Sequence, residues 1–131
     1  MKWLLPLLLI ASCGAQPTPI RSALEIAASF QLLGAKNARA TDVPKDAPIP
    51  RSFDSHAVFD IPEANGKTGQ VFTCENKKNC DALVKYFEAL AGLAGPWLYQ
   101  SKGGRVVVQL SSQTPAEVAA RYAATVQEIP Y

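Results

Sequence analysis

Few residues in this 131-residue chain are of types that do chemistry. It has one histidine, His56, in the run Ser52-Phe53-Asp54-Ser55-His56, and three cysteines, Cys13, Cys74 and Cys80. A hydroxyl, an imidazole and a carboxylate can form an acyl-transfer relay, but only where the three side chains converge. Here they fall in a polar segment entering a strand, where neighbours point to opposite faces, and no Gly-x-Ser-x-Gly turn lifts a serine off the backbone. Metal binding fares no better: one imidazole and scattered carboxylates give no ligand spacing. Gly103-Gly104 leads into a strand and not a helix N-terminus, so it cannot cradle a phosphate. Asp54, Asp60 and Glu63 are the nearest thing to a glycosidase pair, and nothing in the sequence raises the pKa of one of them. The chain is therefore read as having no catalytic residue, no metal and no cofactor. A small hydrolase using His56 stays as the alternative.

The three thiols divide by position. Cys13 follows Lys2, an apolar run from Trp3 to Ala11, and Ser12. As a helix that run would rise about 14 Å, at about 1.5 Å per residue, against a hydrocarbon core of roughly 30 Å, so it fits a signal-peptide core and not a span. Ile10-Ala11-Ser12-Cys13 resembles the lipobox of bacterial lipoproteins, with Ile10 where that family usually has Leu. The resemblance implies a signal peptide over 1–12, a diacylglycerol on the Cys13 sulfur, and a lipidated tether over 13–21. It also implies a domain exported from the cytoplasm and held in the cell envelope, with the membrane as a partner through that lipid. Two acyl chains anchor stably, since each buried CH₂ contributes about 0.8 kcal/mol. The other readings are an ordinary secretory peptide cut after Ala15 and a cytosolic protein with an apolar start.

In an exported chain Cys74 and Cys80 form an even pair where disulfides persist, and we read them as a structural staple. Five residues separate them, where thiol oxidoreductases use two. Free thiols are the remaining reading. Charge excludes another class of partner. Without Lys2 the thirteen basic residues become twelve against eleven acidic ones, and no basic cluster exceeds Lys77-Lys78, so nucleic-acid binding is not expected.

From Cys13 onward 119 of the 131 residues remain, enough for one core, and residues 22–131 are expected to form a single α+β domain. Ser22-Ala-Leu-Glu25 is a capping box opening a helix whose Ile26, Phe30 and Leu33 share a face, with Gly34 to stop it. The prolines between 35 and 53 argue against regular structure beyond an edge strand. From His56, the alternation of Ala57, Phe59 and Ile61, the Asn65-Gly66 turn and the run Gln70 to Cys74 predict a hairpin. Asn79 is the expected cap of the next helix, which carries Leu83, Phe87, Leu90 and Ala94 on one face and ends at Gly92, Gly95 and Pro96. Trp97–Gln100 and Arg105–Leu110 predict a second hairpin, followed by the capping box Thr114-Pro115-Ala116-Glu117 and a helix lined by Val118, Tyr122, Val126 and Ile129.

The expected architecture is an antiparallel sheet of four or five strands with its helices on one face, in the order α-(β)-β-β-α-β-β-α. An offset of 35 residues aligns Gly69 with Gly104, Val71 with Val106 and Phe87 with Tyr122, which raises the prospect of a duplicated ββα unit. The candidate binding surface is Trp97, Tyr99 and His56. Trp97 and Tyr99 alternate along one strand and would form a platform if the helices covered the opposite face, or would pack in the core if they did not. The function expected is a non-catalytic, membrane-anchored binding, accessory, inhibitor or immunity-type module. It would act on a protein, peptide or cell-wall partner through the sheet face or the segment from Thr41 to Phe53.

Overall fold

The computed structural model describes residues 20–131. The expected signal peptide, Cys13 and all but the last residues of the tether lie outside the described residues. The elements run α1 (Ala23–Ser29), a 3-10 turn (Phe30–Leu33), β1 (Lys36–Ala40), β2 (Ser55–Asp60) and β3 (Thr68–Thr73). They continue with α2 (Lys77–Ala89), α3 (Ala91–Ala94), β4 (Leu98–Gln100), β5 (Val106–Leu110) and α4 (Ala116–Gln127). The five strands form one antiparallel sheet in the order β1-β2-β3-β5-β4. This is the expected α+β class, with the edge strand anticipated before residue 53 present as β1.

Local signals explain most element ends. The Ser22 hydroxyl accepts from the Glu25 amide and donates to its carboxylate, so Ser22 caps α1 as expected. Gly34 takes φ +99° to end the helical stretch, a left-handed conformation that costs glycine nothing. Asn65 and Gly66, at φ +57° and +74°, close the first hairpin. Two expected caps differ. Asn76, not Asn79, caps α2, with its side chain accepting from the Asn79 amide; the earlier start puts Cys80, Leu83 and Phe87 together on the buried face. At α4 the capping box does not form: Pro115 occupies the cap, and the Thr114 hydroxyl is buried without a partner.

The helices do not share one face. Ala57 and Phe59 of β2, Val71 of β3 and Val106, Val108 and Leu110 of β5 pack beneath α1 and α4, against Ile26, Phe30, Val118 and Tyr122. The alternate positions Phe72 and Val107 meet Cys80, Leu83 and Phe87 of α2 on the opposite side. A strand buried on both faces loses its polar alternation, and β5 is buried at all five positions. The same finding removes the duplicated unit. A two-fold axis perpendicular to the sheet would superimpose the two hairpins, since β3 pairs antiparallel with β5, but it would leave α2 and α4 on one face.

Gly69 lets the α1/α4 side close, because a Cβ there would lie 2.4 Å from the Phe59 ring. The sheet edges are blunted. β1 carries a bulge at Asn37 (φ +54°) between the exposed Lys36 and Arg39, and β4 is three residues long after Pro96. At the bulge the Asn37 amide and the Arg39 guanidinium donate to Asp60 (2.8 and 3.1 Å), and together they hold its carboxyl below the usual range. Among the described residues no helix is long and apolar enough to cross a membrane.

Candidate functional site

Between β1 and β2 the chain runs without regular structure from Thr41 to Asp54, as its prolines at 44, 48 and 50 require. It nevertheless holds a defined path. Val43, Ile49 and Phe53 pack against the α2-side core. The Arg51 guanidinium donates to the carbonyls of Val43 (3.1 Å) and Pro44, and the Ser52 hydroxyl donates to the Asn79 carbonyl at the start of α2 (2.8 Å). Between this segment and the strand ends lies an open groove of about 590 Å³, whose lining includes Thr41, Asp42, Lys45, Arg51, Asp54 and His56.

His56 is half-buried in the groove wall, its ring against Phe72 at 4.7 Å between centroids. Both ring nitrogens are engaged. Nε2 lies 2.8 Å from the Gln70 side-chain oxygen, and Nδ1 lies 2.9 Å from the Thr41 hydroxyl and 3.2 Å from the Thr41 carbonyl. The hydroxyls and carboxylate that precede it in sequence are not brought to it. Ser55, on the opposite sheet face, accepts from the Ala23 amide at 2.9 Å and pairs with the Thr73 hydroxyl, while Ser52 is spent on Asn79. Asp54 is exposed, and only its backbone is tied down, to the Thr73 carbonyl. Among the described residues no group of three His, Cys, Asp or Glu could hold a metal ion.

Comparison with protein-family models, curated proteins and solved structures finds no match.

Trp97 and Tyr99 do not form an open platform. Both are half-buried against the α1/α4 core beside Ile129 and Tyr131, because α4 covers the face to which they point. Burial raises the Tyr99 hydroxyl above its ordinary pKa, and the Trp97 indole nitrogen is buried without a partner. Leu98, between them, packs on the α2 side. Of the three surface candidates, only His56 borders the groove.

The cysteine pair is joined. Cys74 and Cys80 form a disulfide with Cα atoms 5.6 Å apart, wholly buried, tying the end of β3 to the first turn of α2. Next to it the Cys74 amide donates to the Arg105 carbonyl (2.9 Å) and the Arg105 side chain donates back to the Cys74 carbonyl (3.1 Å).

The sequence reading singled out neither Gln70 nor Gln109, which link His56 to the sheet, nor Arg51, which shapes the groove. A signal was present for Gln109: an amide inside the apolar run Val106-Val107-Val108-Gln109-Leu110 must find a partner once buried.

Proposed function

We propose that this protein is a lipid-tethered envelope module, acylated at Cys13, that binds its partner in the groove between residues 41–54 and the ends of β1 and β2. Its role is to bind, not to turn over a substrate. The observation that carries the reading is the group behind His56: Nε2 meets the neutral Gln70 amide, where a Ser-His-Asp relay has a carboxylate to stabilise the imidazolium. Around it the segment is fixed by Arg51 and Ser52, and a preformed concave surface of several hundred Å³ has the size of a ligand site.

The hydrolase alternative has one observation in its favour: the Thr41 hydroxyl lies within hydrogen-bond reach of an imidazole nitrogen, as a nucleophile would. Acyl transfer also requires donors for the developing oxyanion. The Thr41 and Asp54 main-chain amides, which flank the groove, are already given to the carbonyls of His56 and Thr73.

Two variants separate the readings. His56→Ala, checked by circular dichroism, is expected to remain folded and to show no change in hydrolysis of an activated aryl ester above the buffer rate. Arg51→Ala is expected to weaken binding of the partner at least ten-fold by releasing the segment that forms the groove. Ester turnover by the wild type that disappears in folded His56→Ala and Thr41→Ala would replace the binding reading with the hydrolase.

A further inference from the structure

The outer edge of β4 is open, and register decides which of its main-chain groups face outward. The Trp97 carbonyl accepts from the Leu110 amide and the Ser101 amide donates to the Val106 carbonyl, each at 2.9 Å, so the odd-numbered residues along this strand exchange hydrogen bonds with β5. Leu98 and Gln100 alternate with them and turn their main-chain groups the other way, and among the described residues no strand lies beyond β4. The Pro96 carbonyl takes up the Leu98 amide at 3.1 Å. That leaves the Leu98 carbonyl and both main-chain groups of Gln100 without a partner in the sheet.

On the α2 side of the same edge lies a hollow of about 200 Å³, whose lining includes Val84, Phe87 and Ala91 from the helices and Pro96 and Leu98 from the strand entry. Side chains alternate along a strand, so Leu98 and Gln100 share this face. Leu98 packs on the α2-side core, and the Gln100 side-chain nitrogen donates to the Asp81 carboxylate at 2.9 Å. Glu88 also lines the hollow; it is exposed and has no ion-pair partner among the described residues. The hollow shares no residue with the groove beside His56.

We propose that this edge seats an extended peptide, which adds antiparallel to β4 as a sixth strand and sets an aliphatic side chain in the hollow and a cationic one against Glu88. A strand supplies the two donors and one acceptor that the open main-chain groups lack. Its side chains two residues apart fall on one face, so the aliphatic and the cationic group both meet the α2 side. The unpaired carboxylate of Glu88 fixes the charge of the partner. Three residues make too short an edge to template a second copy of the sheet, so selection falls to the hollow and to Glu88.

The test uses the full chain in detergent micelles, ¹⁵N-labelled and titrated with acetyl-Lys-Thr-Leu-Thr-Lys-amide. Before peptide is added, the Gln100 amide is expected to exchange with deuterium at least ten-fold faster than the Tyr99 amide, which β5 holds. The peptide is expected to move the Leu98 and Gln100 resonances saturably and to slow exchange at Gln100. A form N-methylated at its leucine, which loses the donor to the Leu98 carbonyl, and a form with Glu for both Lys are each expected to bind at least ten-fold more weakly. Glu88→Lys, at an exposed position, is expected to reverse the preference between the Lys and Glu peptides. Equal binding of the N-methylated form, a preference that Glu88→Lys does not reverse, or no movement of Leu98 and Gln100 would overturn the proposal. So would a Gln100 amide whose protection without peptide rises with protein concentration, since a second copy would then occupy the edge.

Discussion

Replacing Phe59 by alanine is expected to cost about 3 to 5 kcal/mol, the range for removing a large aromatic from a closed core, and to leave the protein largely unfolded at 37 °C. Phe59 is fully buried where three elements meet. Its ring stacks on Tyr122 of α4 (5.6 Å between centroids, 16° between planes) and meets Phe30 beyond α1 edge-on at 5.3 Å, while Phe30 and Tyr122 also touch edge to face at 5.3 Å. Denaturant unfolding followed by circular dichroism measures the loss.

Tyr122→Phe supplies the contrast within the same cluster. The Tyr122 hydroxyl is buried without a hydrogen-bond partner, so removing it leaves no orphaned group and should be neutral or stabilising. The same hydroxyl makes the fold sensitive to alkali. Burial, helped by the Glu63 charge and opposed by Arg121, pushes its pKa from 10.0 up to about 12. A raised folded-state pKa means that the contribution is complete below pH 10 and is lost as the pH rises from 10 toward 12. That loss is on the order of 2 kcal/mol, and it should be absent from Tyr122→Phe. A wild-type midpoint that does not move between pH 9 and 12 would show that the hydroxyl is not buried as described.

The double replacement Cys74→Ala with Cys80→Ala should lower stability by about 2 kcal/mol, the chain-entropy value for so short a loop. Binding should be unaffected under conditions where the variant is folded, because neither cysteine lines the groove. Both sulfurs belong to residues with no exposed surface, so the wild-type bond should also resist mild reductant until the protein unfolds. Labelling of free thiols in the native, unreduced protein would contradict the staple.

Local structure was legible at three element ends and misread at two, where Asn76 and not Asn79 caps α2 and Pro115 and not Thr114 stands at the cap of α4. Ser22 with Glu25, Gly34, and Asn65-Gly66 each mark an element end because each satisfies a specific backbone group or dihedral. The alternation of Ala57, Phe59 and Ile61 named core residues that are all fully buried. The placement of α2 was misread, although the pattern contained it. Val71-Phe72 in β3 and Val106-Val107-Val108 in β5 are apolar at consecutive positions, which requires cover on both faces, whereas one-sided cover would have left every second position polar. The same pattern left open which face Trp97 and Tyr99 take, and α4 covers it. The groove was harder to read for a different reason. His56, Gln70 and Gln109 lie far apart in sequence and meet through strand register, with His56 beside Phe72 and Gln70 beside Gln109, while Arg51 is placed by folding back onto the Val43 and Pro44 carbonyls. No local propensity encodes such pairing, and only the isolated glutamine in a valine run hints at it.

The proposed lipid on Cys13 would determine where the groove meets its partner, and intact mass of the mature protein together with membrane fractionation tests that proposal most directly. The expected result is a chain that begins at Cys13 and carries the mass of a diacylglyceryl group, found with membranes as wild type and released as Cys13→Ser. A mature protein that begins elsewhere and is unmodified, or a Cys13→Ser variant that still fractionates entirely with membranes, would contradict it.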